Sequence, residues 1–186
     1  MSHPGLVDIT QASHHVTLSW NHFLDHNKGV LVGADDAHTG DTAIRVSLHH
    51  NWMQQESRGP RARFGQVHIY NNFYDHMKTA VASYMEAQVV IEHSFFSSTN
   101  IALQVYCLDP CEDDDPRRHG EIVSSNNKFV NVQDDHNPTR GEAFDPETYF
   151  PGLSDEYDDV LLVPGLVMAD AGAGRNDRLA QAWKAY

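Results

Sequence analysis

Five segments of this chain fall on one eight-residue template: VTLSWNHF from Val16, VSLHHNWM from Val46, VHIYNNFY from Val67, VVIEHSFF from Val89 and IVSSNNKF from Ile122. Each opens on an apolar residue, usually repeats one two places on, and carries a polar residue at the sixth place. That sixth place holds Asn21, Asn51, Asn72, Ser94 and Asn127, and the eighth holds Phe23, Met53, Tyr74, Phe96 and Phe129. Successive starts are 30, 21, 22 and 33 residues apart, so the two short intervals give the basic turn and the longer ones carry inserted loops. Period-two alternation with little helical periodicity, repeated at this interval, predicts an all-β solenoid of stacked rungs. Stacking would set equivalent side chains above one another. An asparagine at a bend satisfies its own backbone, tolerates the left-handed region and can bond to the asparagine of the next rung. A β-sandwich whose strand ends favour asparagine is the competing architecture, but it does not account for the common register.

A length of 186 residues suits one domain spanning 1–186. The pattern changes after residue 136. NPTRGEAFDPETYFPGLSDEYDD reads as a long surface excursion, VLLVPGLVMADAGAG as an apolar segment that packs against the body or caps the stack, and RNDRLAQAWKAY as a short terminal helix. No apolar run approaches the roughly 18 residues of a membrane span, and MSHPGLVDIT has no basic and apolar leader pattern.

The formal net charge of -13 argues against a general nucleic-acid binder, which needs a broad basic face. Acidic runs such as CEDDDP and SDEYDD read as solvated loops. Against that background, SRGPRARFGQVHIYNN (57–72) gathers Arg58, Arg61 and Arg63 around a Gly-Pro break. Only six of the 13 Lys and Arg residues lie in the first 80 positions, and these are three of them. The guanidinium fork matches a carboxylate or phosphate bidentately, so the cluster predicts a site for an anionic ligand. If RAR is extended, Arg61 and Arg63 share a face. Arg61 then either touches the ligand or makes a structural salt bridge.

GLVDITQASHHVTLSWNHFLDHNKGVLVG, VSLHHNWMQQESRGPRARFGQVHIYNNFYD and VPGLVMADAGAG resemble the central and C-terminal parts of pectate lyases of polysaccharide lyase family 1. The R-x-P-x-x-R arrangement followed by FGQVHIYNN carries most of the resemblance. It implies a right-handed, single-stranded parallel β-helix whose N-terminal rungs and cap are absent from this chain. It implies β-elimination on polygalacturonate, the pectin backbone, by a secreted, calcium-dependent polysaccharide lyase giving 4,5-unsaturated oligogalacturonides. Arg58 is similar in position to the family's Brønsted base, and Arg63 to a residue that binds a substrate carboxylate. Asp8 and Lys28 have the separation of the family's calcium-binding aspartate and a substrate-binding lysine. Loss of a proton beside a carboxylate builds charge on a group already charged, so calcium and aimed cations would stabilise the transition state. Arginine ordinarily keeps its proton, so such an enzyme should favour alkaline pH.

The family's acid four residues before that aspartate is Pro4 here, so the calcium site around Asp8 is expected to be incomplete. Asp35, Asp36 and Asp41 are either replacement ligands or solvated loop residues. Two further readings follow: a pectin lyase, which takes methyl-esterified substrate without calcium, and a truncated, inactive polygalacturonate-binding β-helix. A short chain of this kind is expected to turn over weakly and to associate end to end through an exposed first rung of Leu6, Val7 and Ile9.

The thirteen histidines invite a metal reading. His14–His15 and His49–His50 are poor chelators if adjacent strand residues face opposite ways, and no HExxH or G-x-S-x-G motif is present. Cys107 and Cys111 in CLDPC either close a small disulfide loop or stand as two thiols.

Overall fold

A computed structural model describes residues 5–105, 119–134, 141–142, 144–151 and 157–175. Cys107, Cys111, Pro4, the CEDDDP run and all of the terminal segment after Arg175 lie outside the described residues.

Among the described residues fifteen short strands, numbered in chain order, form three parallel sheets of five. The first sheet contains β1 (Val7–Ile9), β4 (Val30–Val32), β7 (Arg61–Arg63), β10 (Thr79–Tyr84) and β13 (Ile101–Val105). The second contains β2 (Val16–Ser19), β5 (Arg45–His49), β8 (Gln66–Tyr70), β11 (Gln88–Glu92) and β14 (Glu121–Ser125). The third contains β3 (His22–Phe23), β6 (Trp52–Met53), β9 (Phe73–Asp75), β12 (Phe95–Ser97) and β15 (Lys128–Val130). Each three consecutive strands make one rung, and every strand pairs in parallel with its counterpart in the next rung. This is a parallel β-helix.

The register is the one the template predicts. Val16, Val46, Val67, Val89 and Ile122 are paired in succession along the second sheet. Their neighbours on the inner face are buried, and Leu48, Ile69 and Ile91 stack above one another in the core. In the third sheet the eighth-place residues point inward, with Tyr74 on Phe96 at 4.5 Å between ring centres and Phe96 on Phe129 at 4.9 Å. Burying like residues rung upon rung supplies the hydrophobic core that one rung cannot supply alone.

The bend between the second and third sheets divides its labour between two places. The left-handed conformation falls at the fifth place, not on the asparagine: Trp20, His50, Asn71, His93 and Asn126 have φ of 57, 53, 50, 47 and 53°. The sixth-place residue provides the hydrogen bonds. Asn51 Oδ1 accepts both the backbone N–H and the side-chain amide of Asn21, each at 3.0 Å, while Asn51 Nδ2 donates to Leu18 O at 2.8 Å. Asn72 repeats this one rung on, Ser94 Oγ accepts from Asn72 N, and Asn127 Oδ1 accepts from Ser94 N. The sixth-place backbone donors of the first four bends are thereby paired.

Left-handed backbone also shapes both histidine pairs, His14–His15 just before β2 and His49–His50 at the end of β5. Because His15 and His50 are left-handed (φ 57 and 53°) and not extended, each turns towards its predecessor. The Nδ1 atoms of His14 and His15 lie 2.7 Å apart, and those of His49 and His50 2.8 Å apart.

The apolar segment near the C-terminus packs against the body. Helix α1 (Val163–Asp170) buries Val163 and Val167, with Ala171, on Phe73 of the third sheet, flanked by Trp52 and Phe95. Just before it, Tyr157 and Asp158, which the sequence places in a solvated acidic loop, clasp the second sheet. Tyr157 donates to Glu92 at 2.7 Å and stacks on His93, while Asp158 meets His50 at 2.9 Å. Glu92, also bonded to His68 and Ser125, is held down to about 2, the His68 hydrogen bond being the largest cause.

Candidate active site

The outer face of the first sheet carries the arginine cluster. In β7 Ala62 is fully buried, so Arg61 and Arg63 both face outward. Arg61 lies beside Leu31 of β4 and Ala82 of β10, and Arg63 lies beside Tyr84. The Arg61 guanidinium carbon stands 4.4 Å from the centre of the Tyr84 ring, and that of Arg63 5.6 Å from it. Both distances suit cation–π attraction.

Arg58 sits just ahead of β7 with φ of 68°. The rungs on either side grip its backbone. Val30 N donates to Arg58 O at 2.7 Å, and Arg58 N donates to Thr79 O at 3.2 Å. Gln55, buried, also reaches Arg58 O from its side-chain amide at 3.3 Å. Gly29 permits this approach, since a Cβ there would lie 2.6 Å from Arg58 O. Gly33 does the same beside Arg63, with φ of 75° and room for no side chain.

A cavity of about 300 Å³ opens here, lined by Lys28, Glu56, Arg58, Arg61, Tyr84 and Gln104 among others. Three cations face one hollow. Burial, and next the neighbouring Arg63, push the Arg58 guanidinium below arginine's ordinary range, while Asp8 and Tyr84 act the other way. Arg61 is pushed down by the same two leading causes. A site that disfavours its own positive charge is arranged for a bound anion, and equally for a guanidine that gives up its proton more readily.

Of the residues singled out in the sequence, Lys28 and Arg58 line this cavity together. Arg63 stands at its flank, ion-paired to Asp36. The salt bridge expected as one reading of Arg61 thus belongs to Arg63. Asp41 is buried and accepts the Ala12 backbone N–H, so it is not a solvated loop acid, whereas Asp35 is exposed in a turn and accepts only the Ala37 N–H two residues on. Tyr84, Gln55 and Gln104 are neighbours of the site that motif reading missed. The alternation of VASYMEA places Ala82 and Tyr84 on one face, but only the strand register puts them beside Arg61 and Arg63.

Asp8 is exposed on β1, beside Leu31. Among the described residues, no three His, Cys, Asp or Glu side chains converge to hold a metal ion. Calcium takes about 6–8 oxygen ligands, so the described donors around Asp8 do not fit a calcium site.

Stacked parallel rungs with Lys28, Arg58 and Arg61 on one hollow define a parallel β-helix with a cationic flank. A sequence model of the family described as Pectate lyase matches residues 1–145. Pectate trisaccharide-lyase of Bacillus licheniformis is 33% identical over 173 residues, covering 92% of this chain and 46% of that protein. Pectate lyase B of Colletotrichum gloeosporioides is 41% identical over 103 residues, 53% of this chain and 31% of that one. Among solved structures, a doubly substituted pectate lyase from Xanthomonas campestris superposes with a TM-score of 0.73 at 27% identity, covering 94% of this chain and 54% of that chain. The chain belongs to the pectate lyase family. It spans about half the length of the curated relatives it matches over most of its own length.

Proposed function

We propose that this chain is the substrate-binding and catalytic part of a pectate lyase, cleaving polygalacturonate by β-elimination. The observation that carries the reading is the convergence of Lys28, Arg58 and Arg61 on one cavity in a protein of net charge -13. Family membership supplies the reaction class.

In this mechanism a galacturonate ring lies in the hollow with its carboxylate towards Lys28 and Arg63, which stabilise the charge that develops on it. Arg63 then exchanges part of its contact with Asp36 for the substrate. Arg58, in its neutral form, takes the proton from C5. The C5–H electrons form the C4–C5 double bond, the C4–O bond breaks, and the departing oxygen takes a proton from water. Arg58 returns its proton to solvent. Burial beside Arg63 makes the neutral form more accessible, so the rate rises towards alkaline pH.

Calcium is the ion this reading expects, with Asp8 as its ligand, and when bound it would neutralise substrate carboxylates. The described donors do not make that site by themselves. A polymeric substrate is cut where it lies, which supports a secreted enzyme of pectin degradation. Strands β1, β2 and β3 lie at the same end of the three sheets, and a polypeptide of these 186 residues is expected to stack on a second copy there. Sedimentation of that polypeptide as a dilution-independent monomer would remove the expectation.

Mass spectrometry of products from low-ester polygalacturonate tests the reaction class. Unsaturated non-reducing ends support elimination. Water-added ends indicate hydrolysis, and retention of the polymer without cleavage indicates a binding protein.

A further inference from the structure

Arg61 differs from its neighbour two places along the strand. Arg63 has a carboxylate partner in Asp36. Among the described residues no carboxylate pairs with Arg61, and its Nε is buried without a hydrogen-bond partner. A buried donor left unpaired costs free energy unless a ligand supplies the acceptor. The neighbours leave room for one. Ala82, next to Arg61 in the sheet, is small, and Gln104 follows it in the adjoining strand. Tyr84 lies under the guanidinium at 4.4 Å and is itself almost wholly buried, a fixed platform. A guanidinium lying on a ring keeps its edge N–H groups in plane and available for a bidentate carboxylate.

We propose that Arg61 is a further substrate-binding residue that takes a second carboxylate of the polyuronate chain, and that Tyr84 is its positioning residue. The proposal rests on the reading of the hollow as a polygalacturonate site. It assigns the carboxylate of a ring adjoining the one that reacts at Arg58. It also gives a reason for the third arginine of the cluster, which the elimination step itself does not use.

The test is calorimetric titration of the protein with low-ester polygalacturonate and with fully methyl-esterified pectin. Arg61→Gln should weaken polygalacturonate binding about tenfold, flatten its salt dependence, and leave binding of the esterified polymer as it was. Lys128→Gln, which removes one exposed charge from β15 of the third sheet, away from the residues lining the hollow, is the control and should match wild type. Tyr84→Leu should weaken binding as Arg61→Gln does, and Tyr84→Phe should recover most of that loss. The double variant Arg61→Gln/Tyr84→Leu should bind no more weakly than Arg61→Gln alone, since Tyr84 acts through Arg61. Melting curves separate misfolded variants from weak binders. Wild-type binding with an unaffected Arg61→Gln overturns the role of Arg61, and additive losses in the double variant overturn the role of Tyr84. A wild-type protein that binds no polygalacturonate overturns the underlying site reading, and this proposal with it.

Discussion

Asn72 Oδ1 accepts two hydrogen bonds from Asn51, one from its backbone N–H at 2.8 Å and one from its side-chain amide at 3.0 Å. Both residues are fully buried, so neither bond is exchanged for water. Replacing Asn51 by Leu removes the acceptor for Asn21 and the donor to Leu18 O while keeping the side-chain size. The expected loss is about 1–3 kcal/mol of unfolding free energy, from buried partners left unpaired. Urea denaturation measures it, and an unchanged midpoint would deny the ladder an energetic role.

Gly29 controls where Arg58 sits. An added Cβ would press on Arg58 O at 2.6 Å and on the Gln55 side-chain amide at 2.4 Å. Gln55 can swing away, but the Arg58 backbone is fixed from both rungs. Gly29→Ala should therefore lower kcat at least tenfold, because misplacing a base by less than an ångström is costly, with a smaller change in KM. Equal kinetics in the variant would show that the backbone of Arg58 is not held for catalysis.

The solenoid itself was legible from the sequence because its repeat is a register: one polar place and one bulky place recur at fixed offset. The division of the bend was not. Asn71, Asn126, His50 and His93 are of types enriched at left-handed φ, whereas Trp20 is not, and type enrichment alone does not single out the fifth place. Reading the histidine pairs as extended failed for that reason. Arg58 and Arg63 stand out through a motif, which holds residues near in sequence, and Lys28 through its separation from Asp8. Tyr84 and Gln104 come from later rungs, and only strand pairing brings them beside the cluster. The clasp of Tyr157 and Asp158 on His93 and His50 spans too much chain for any local pattern to announce it.

His49 sets a pH dependence of stability. It stacks on Tyr70 at 4.8 Å, and burial, then His50 and His68, push its imidazole down to about 4. The unfolded residue takes a proton as pH falls through about 6.5, whereas the folded one does so only near 4. The unfolded state thus binds more protons in that window, and folding stability falls as the pH is lowered through it. Above the window the contribution is complete. Compared with His49→Gln, wild type should lose relative stability between pH 7 and pH 4; parallel stability curves would refute the assignment.

Calcium binding offers a separate check on Asp8. Among the described residues Asp8 has no converging carboxylates, so it should hold the ion more weakly than the ~0.1–1 mM typical of extracellular modules. Calorimetry in the absence of substrate reads this directly. Micromolar affinity lost in Asp8→Asn would mean that a complete site exists around Asp8.

The most direct measurement of the central claim is the ultraviolet absorbance of unsaturated uronide released from polygalacturonate, followed against pH for wild type and Arg58→Lys. Lysine keeps the positive charge but places a shorter, differently shaped group in the hollow. The wild-type rate should climb towards alkaline pH, and Arg58→Lys should lose at least a hundredfold with polymer binding largely kept. Comparable product formation by Arg58→Lys, or a wild-type rate that falls as the pH rises towards alkaline values, would contradict that claim.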